Sequence, residues 1–244
     1  MKRQGFRFAW IAAVGALAAC GGAGSAARAK PLQYHFKEHH LSRVPESDKA
    51  EMLAARAEHL RAREENRKAL SDHAHSARAV DAAKREAEKA HQQKDAADKR
   101  RSDAEDSKDW NLTNRVTRDQ RVAEVTVRAA EQKVRMLEAH RDWLAEQVKY
   151  TLENVYAAEA KYELAKANVA RAHDIAPPDF AYQAYVDQYQ QRRARAERLK
   201  GPADEEKEIW LAEKKEWEAK RRDENEARGI DTTATRSANS GGDE

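Results

Sequence analysis

The residues whose types and spacing could do chemistry lie near the start of the chain. His35, Glu38 and His39 stand in the order H-x-x-E-H, an arrangement in which two imidazoles hold a zinc ion and the carboxylate activates its water. Catalysis from that triplet requires a helix beneath it, a third ligand and a walled cleft. The rest of the chain suggests no such domain, so His35 and His39, with His40 beside them, are weak candidates for adventitious metal binding, and no resident metal is expected. Gly22-Ala23-Gly24-Ser25-Ala26-Ala27 has the letters of a dinucleotide fingerprint but lacks the strand that must precede one. His59, His73, His75, His91, His140 and His173 read as solvated helix residues. Asp and Glu are scattered rather than gathered into the enclosed site that general acid–base work needs. No P-loop or nucleophile elbow is present, so neither an enzyme, nor a cofactor, nor a small-molecule substrate is expected. The remaining reactive side chain is the only cysteine, Cys20, which follows Leu17-Ala18-Ala19.

Ahead of Cys20 come a basic start (Lys2, Arg3, Arg7) and an apolar run from Phe8 to Ala19, and behind it comes Gly21-Gly22. The run is far shorter than the roughly 20 residues that cross a bilayer, and its flanks are those of a signal peptide. With Leu17-Ala18-Ala19-Cys20 as a lipobox, this beginning resembles the signal peptide of a bacterial lipoprotein. The resemblance implies cleavage between Ala19 and Cys20, diacylglycerol on the Cys20 sulfur and a further acyl chain, such as palmitate, on its amine. Two or three chains hold far more firmly than one, since each buried methylene contributes about 0.8 kcal/mol. Lipoproteins kept at the inner membrane tend to carry Asp after the cysteine. Gly21 therefore implies an outer membrane, with the protein facing the periplasm.

Removing residues 1–19 takes Lys+Arg from 46 to 43 against 43 Asp+Glu, so the remaining chain is near neutral and nucleic acid is not expected as a partner. Charged residues are 36% of the chain and glycine, proline and aromatics are few, which is the composition of long helices and coiled coils. The expected fold is all-α, an elongated coiled-coil helical hairpin with two shorter C-terminal helices. Residues 20–45 are read as the lipidated N-terminus and a flexible tether.

The hairpin is expected over 46–176. Ser47 or Asp48 can cap its start, Asp48 and Glu51 having capping-box spacing. Ala55, Ala62, Ala69, Ser76, Ala83, Ala90, Ala97 and Ala104 recur every seven residues, a seam that lets a second helix approach closely, with Leu53, Leu60, Leu70 and Val80 adding apolar area beside it. Further on, Val127, Val134, Arg141, Val148, Val155, Tyr162 and Val169 form one heptad series and Ala130, Leu137, Leu144, Thr151, Ala158, Ala165 and Ala172 the other. The two runs are out of phase, and Ser107 to Asn114 is rich in turn residues, which predicts a reversal near 107–114; a single uninterrupted rod is the alternative. In general form the chain resembles the hairpins of efflux adaptor proteins. Those hairpins interrupt strand-rich segments that this sequence lacks, so that function is not carried over.

Pro177-Pro178 ends the hairpin. Residues 177–228 are read as two helices broken at 201–202, because Arg198 and Lys200 precede Gly201-Pro202 and Asp204 to Glu206 follow it, each set matching a helix-end dipole. Residues 229–244 are read as a disordered tail. Tyr182, Tyr185 and Tyr189 share one face of the first short helix, and Trp210 and Trp217 lie one heptad apart on the second. These aromatics serve either as anchors for a partner protein or as packing against the hairpin. The function expected is a membrane-anchored spacer, scaffold or accessory subunit of the cell envelope, with a client-binding envelope chaperone or a regulator of a partner enzyme as the alternative. Its partners would be the membrane, through the lipid, and an envelope protein or a second copy of the chain, through the coiled coil.

Overall fold

The structure is a computed structural model and describes residues 31–230. The expected signal peptide, the Ala19–Cys20 junction with its lipid, and nearly all of the expected tail lie outside the described residues. Those described form three long helices and no strand: α1, Ala50–Ser107; α2, Trp110–Ala172; and α3, Tyr182–Ala227. Two short 3-10 helices, Glu38–Leu41 and Glu46–Lys49, precede α1.

The boundaries follow from local chemistry. Ser47 Oγ donates to Asp48 (2.8 Å) and Asp48 lies 3.3 Å from His173, so neither caps α1; instead Asp48 ties its beginning to the end of α2. Lys108 adopts the left-handed conformation (φ 57°) and Asp109 caps α2 by accepting from the amides of Asn111 and Leu112. The reversal therefore takes two residues. Thr113, already inside α2, donates back to the Ala104 carbonyl across the turn.

Helices α1 and α2 run antiparallel. Along α1, Glu58, Asn66, Lys84, Glu86 and Asp98 pair in turn with Lys161, Thr151, Glu138, Lys133 and Gln120 of α2, the second number falling as the first rises. All eight small residues of the seven-residue series on α1 are buried, from 1% exposed at Ala97 to 7% at Ala69. Alanine loses no side-chain entropy in a helix and lets two backbones approach, so one residue type favours both the helix and its pairing. Val80 lies in this seam, but Leu53, Leu60 and Leu70 do not: they are 42%, 55% and 50% exposed. Buried Thr151 makes the polar layer, receiving a hydrogen bond from Asn66 Nδ2 (3.0 Å), whereas Arg141 turns outward to Asp142.

Helix α3 is one helix of 46 residues with Pro202 inside it, which corrects the expected pair of shorter helices broken at 201–202. Proline removes one amide and strains one turn. Packing on both sides outweighs that loss: Arg192 and Ala196 before it and Ala203 after it are buried, and Trp210 stacks on α2. The charge reversal at Lys200 to Asp204 marks a step along one helix, not two ends. Pairs Arg192–Glu153, Glu213–Gln132 and Glu224–Thr126 show α3 running antiparallel to α2. Both α1 and α3 pack along α2, which is the middle helix.

A second correction concerns residues 31–45, the described part of the expected tether of 20–45. Leu32, Phe36, Leu41 and Val44 are buried, and Phe36, Leu41 and Val44 share a core with Met52, Tyr162, Val169 and Tyr185. These apolar residues have no helical or strand period, so the sequence reads as linker; they fit an irregular strap that fills the notch between α2 and α3.

Candidate functional site

The densest polar constellation holds that strap. Glu163 and Lys166 lie three apart on α2, and Gln188 and Arg192 lie four apart on α3, so each helix turns one pair of side chains toward the same segment. Gln188 Oε1 accepts from the amides of Gln33 and Tyr34 (both 2.9 Å), and its Nε2 donates to the Tyr34 carbonyl (3.0 Å). Glu163 accepts from the Phe36 amide (2.6 Å), while Lys166 donates to the Phe36 carbonyl (2.9 Å) and pairs with Glu163 (2.7 Å). Arg192 pairs with Glu153 (3.3 Å), donates to the Pro31 carbonyl and lies over the Tyr156 ring at 4.9 Å. Side chains of two helices thus satisfy the strap's backbone much as a neighbouring strand would.

Burial makes this network consequential. Glu163, Lys166, Glu153 and Arg192 side chains are at most 10% exposed, and each charge faces an opposite one. At the edge, Tyr162 donates to Glu38 (2.6 Å). Burial, reinforced by that bond, pushes the Tyr162 phenol up to about 12, and the same bond holds the Glu38 carboxyl below its usual range. The arrangement can hold a chain segment against displacement.

The H-x-x-E-H triplet is part of the strap. His35 Nε2 lies 3.2 Å from the Leu32 carbonyl and its Nδ1 lies 3.7 Å from Glu163. Glu38 turns to Tyr162, and the His39 ring lies against that of His40, tilted by 39° with centres 4.0 Å apart. His35 lies in irregular chain ahead of the 3-10 helix Glu38–Leu41 that holds Glu38 and His39, and no α-helix underlies the triplet, so the three side chains diverge. Among the described residues no three His, Cys, Asp or Glu side chains are grouped to hold a metal ion.

The tyrosine face is largely spent inside the molecule. Tyr185, 8% exposed, packs against Tyr34, Phe36 and Phe180. Tyr182 donates to Asn168 (2.9 Å) beneath the Arg171 guanidinium, and Tyr189 is half-buried. Trp210 stacks on Trp143 with ring centres 4.8 Å apart and planes within 3°, and His140 lies 4.8 Å from the Trp210 ring. Trp217, with Arg221 over its ring, lines a cleft among the three helices that also holds Lys89 and Lys133. Of the aromatics singled out as partner anchors, Tyr182, Tyr185 and Trp210 make contacts within the chain. His59, His73 and His140 are half-buried rather than solvated.

Sequence reasoning missed Glu163, Lys166, Gln188, Arg192 and Trp143. Glu163, Lys166 and Trp143 each neighbour a heptad core position, Tyr162, Ala165 and Leu144, and that adjacency was the available signal. Nothing local marks the rest, whose partners lie up to 161 residues away in the chain. No helix among the described residues is long and apolar enough to cross a membrane. The chain matches no protein-family model, no curated protein and no solved structure.

Proposed function

We propose that this protein is a membrane-anchored bacterial lipoprotein whose α1–α2 coiled-coil hairpin, braced by α3, serves as a spacer or scaffold in the cell envelope, facing the periplasm from the outer membrane. The observation that carries this reading is the clamp on residues 31–36. A lipid on Cys20 would pull on the chain just ahead of Pro31, where Arg192, Gln188, Glu163 and Lys166 grip its backbone. Force on the anchor would pass directly into α2 and α3. Helix α2, at 63 residues, reaches about 95 Å at ~1.5 Å per residue and sets the span of the spacer.

Metabolic labelling with palmitate and membrane fractionation test the anchor. The wild-type chain should carry label and sediment with the outer membrane, and Cys20→Ala should lose the label and leave the membrane fraction. Label retained by Cys20→Ala refutes the lipoprotein reading.

A second reading, a client-binding chaperone or regulator, draws on the turn end of the hairpin, where Trp110 is 76% and Leu112 40% exposed. Large exposed aromatics are typical anchors for a partner. A scaffold copurifies with its neighbours in fixed ratio; a client binds substoichiometrically and is released by salt.

A further inference from the structure

Helices α1 and α3 both pack on α2 rather than on each other, and at one level the gap between them is a cleft of about 550 Å³. On α1, Glu86, Lys89 and Gln93 are three and four residues apart. On α3, Trp217, Arg221 and Glu224 are four and three apart, so each helix turns one face into the gap. The floor consists of the methyl groups of Ala90, Ala129 and Ala130, all buried. Residues this small leave room above them, and the volume is that of a small-molecule site.

The charges lining the cleft are unevenly spent. Lys133 pairs with Glu86 (2.5 Å), and Glu224 pairs with Arg228 (2.6 Å) while accepting from Thr126 (3.2 Å). Both carboxylates of the lining are thereby neutralised. Lys89 and Arg221, exposed side chains on opposite walls, have no carboxylate partner among the described residues, and Arg221 lies 5.5 Å over the half-buried Trp217 ring. Two uncompensated cations beside an indole and an apolar floor select an anion that carries a flat apolar body. The hydroxyl groups of a sugar would meet methyl groups on that floor, which favours an aromatic ring instead.

We propose that this cleft binds a small aromatic anion, its ring against Trp217 and the alanine floor and its acid group between Lys89 and Arg221. Such a ligand touches α1 and α3 together, and so ties two helices that otherwise both rest on α2. The inference does not depend on the lipid anchor.

The test uses the full chain with isotope-labelled tryptophan and follows the indole N–H signals by heteronuclear NMR, Trp217→Leu identifying the Trp217 signal by its loss. Naphthyl phosphate is the probe; naphthol supplies the ring without the charge, and inorganic phosphate the charge without the ring. The expected result is a saturable shift of the Trp217 signal with naphthyl phosphate, the Trp110 signal unmoved, and a much smaller shift with either fragment. Lys89→Gln with Arg221→Gln should weaken binding about tenfold or more, through loss of charge-assisted hydrogen bonds. Helix content by circular dichroism should not change, because both side chains are exposed. Each substitution alone should weaken binding by a smaller factor, which keeps the comparison if the pair disturbs the fold. Three results would overturn the proposal: no saturable shift at Trp217, an equal shift with naphthol, or substituted chains that bind naphthyl phosphate as tightly as the wild type.

Discussion

His140 shows how a single side chain changes meaning when its surroundings are known. It lies against Trp143 and Trp210, and burial pushes its imidazole below the ordinary 6.5, with Asp72 partly opposing. His59 is shifted the same way, again chiefly by burial. A basic group with a lowered folded-state pKa binds fewer protons folded than unfolded, so its contribution is complete above pH 6.5 and is lost as pH falls through the folded value. The urea midpoint should therefore be level from pH 8 to 7 and decline from about 6.5 downward, with His140→Gln declining less steeply. A wild-type midpoint unchanged between pH 7 and pH 5 would contradict this.

The individual helices carry the next predictions. A methyl group built on Gly201 meets nothing within 4 Å, and its backbone is helical. Gly201→Ala should therefore stabilise α3 by about 0.5–1 kcal/mol in equilibrium unfolding; a loss of stability would indicate a real break there. In α1, Ala83 is 2% exposed in the small-residue seam. Ala83→Leu should cost about 1–3 kcal/mol, because a larger side chain forces the two helices apart. Wild-type stability in that variant would mean that the seam has slack. The seven-residue alanine spacing was readable in the sequence because period and residue size are local properties. Continuity through Gly201-Pro202 was not, because the contacts that hold it come from α2.

Across the whole molecule, the strap joins the beginning of the described chain to α2 and α3. Glu163→Ala leaves Lys166, 5% exposed, without its buried partner and takes the acceptor from the Phe36 amide. We expect a loss of about 3–5 kcal/mol, the usual consequence of uncovering a buried charge. Adding Lys166→Met should recover much of it. Failure of the second substitution to recover any stability would place the loss in the strap's backbone contacts rather than in the charge pair.

The sequence by itself determined what depends on neighbours within a turn or two: helical class from composition, the small-residue seam from its period, the end of α2 before Pro177-Pro178, and the likelihood of reversal in the stretch that contains Lys108 and Asp109. Only the tertiary structure decided which surfaces meet. It seated Phe36, Leu41 and Val44 in the core, carried α3 through a proline, buried Glu163, Lys166, Glu153 and Arg192, and turned Tyr185 and Trp210 inward while leaving Leu60 and Leu70 exposed. The physical reason is common to all of these. A buried charge or an aromatic anchor is defined by the partner it meets, and here those partners are brought together by two long helices from distant parts of the chain.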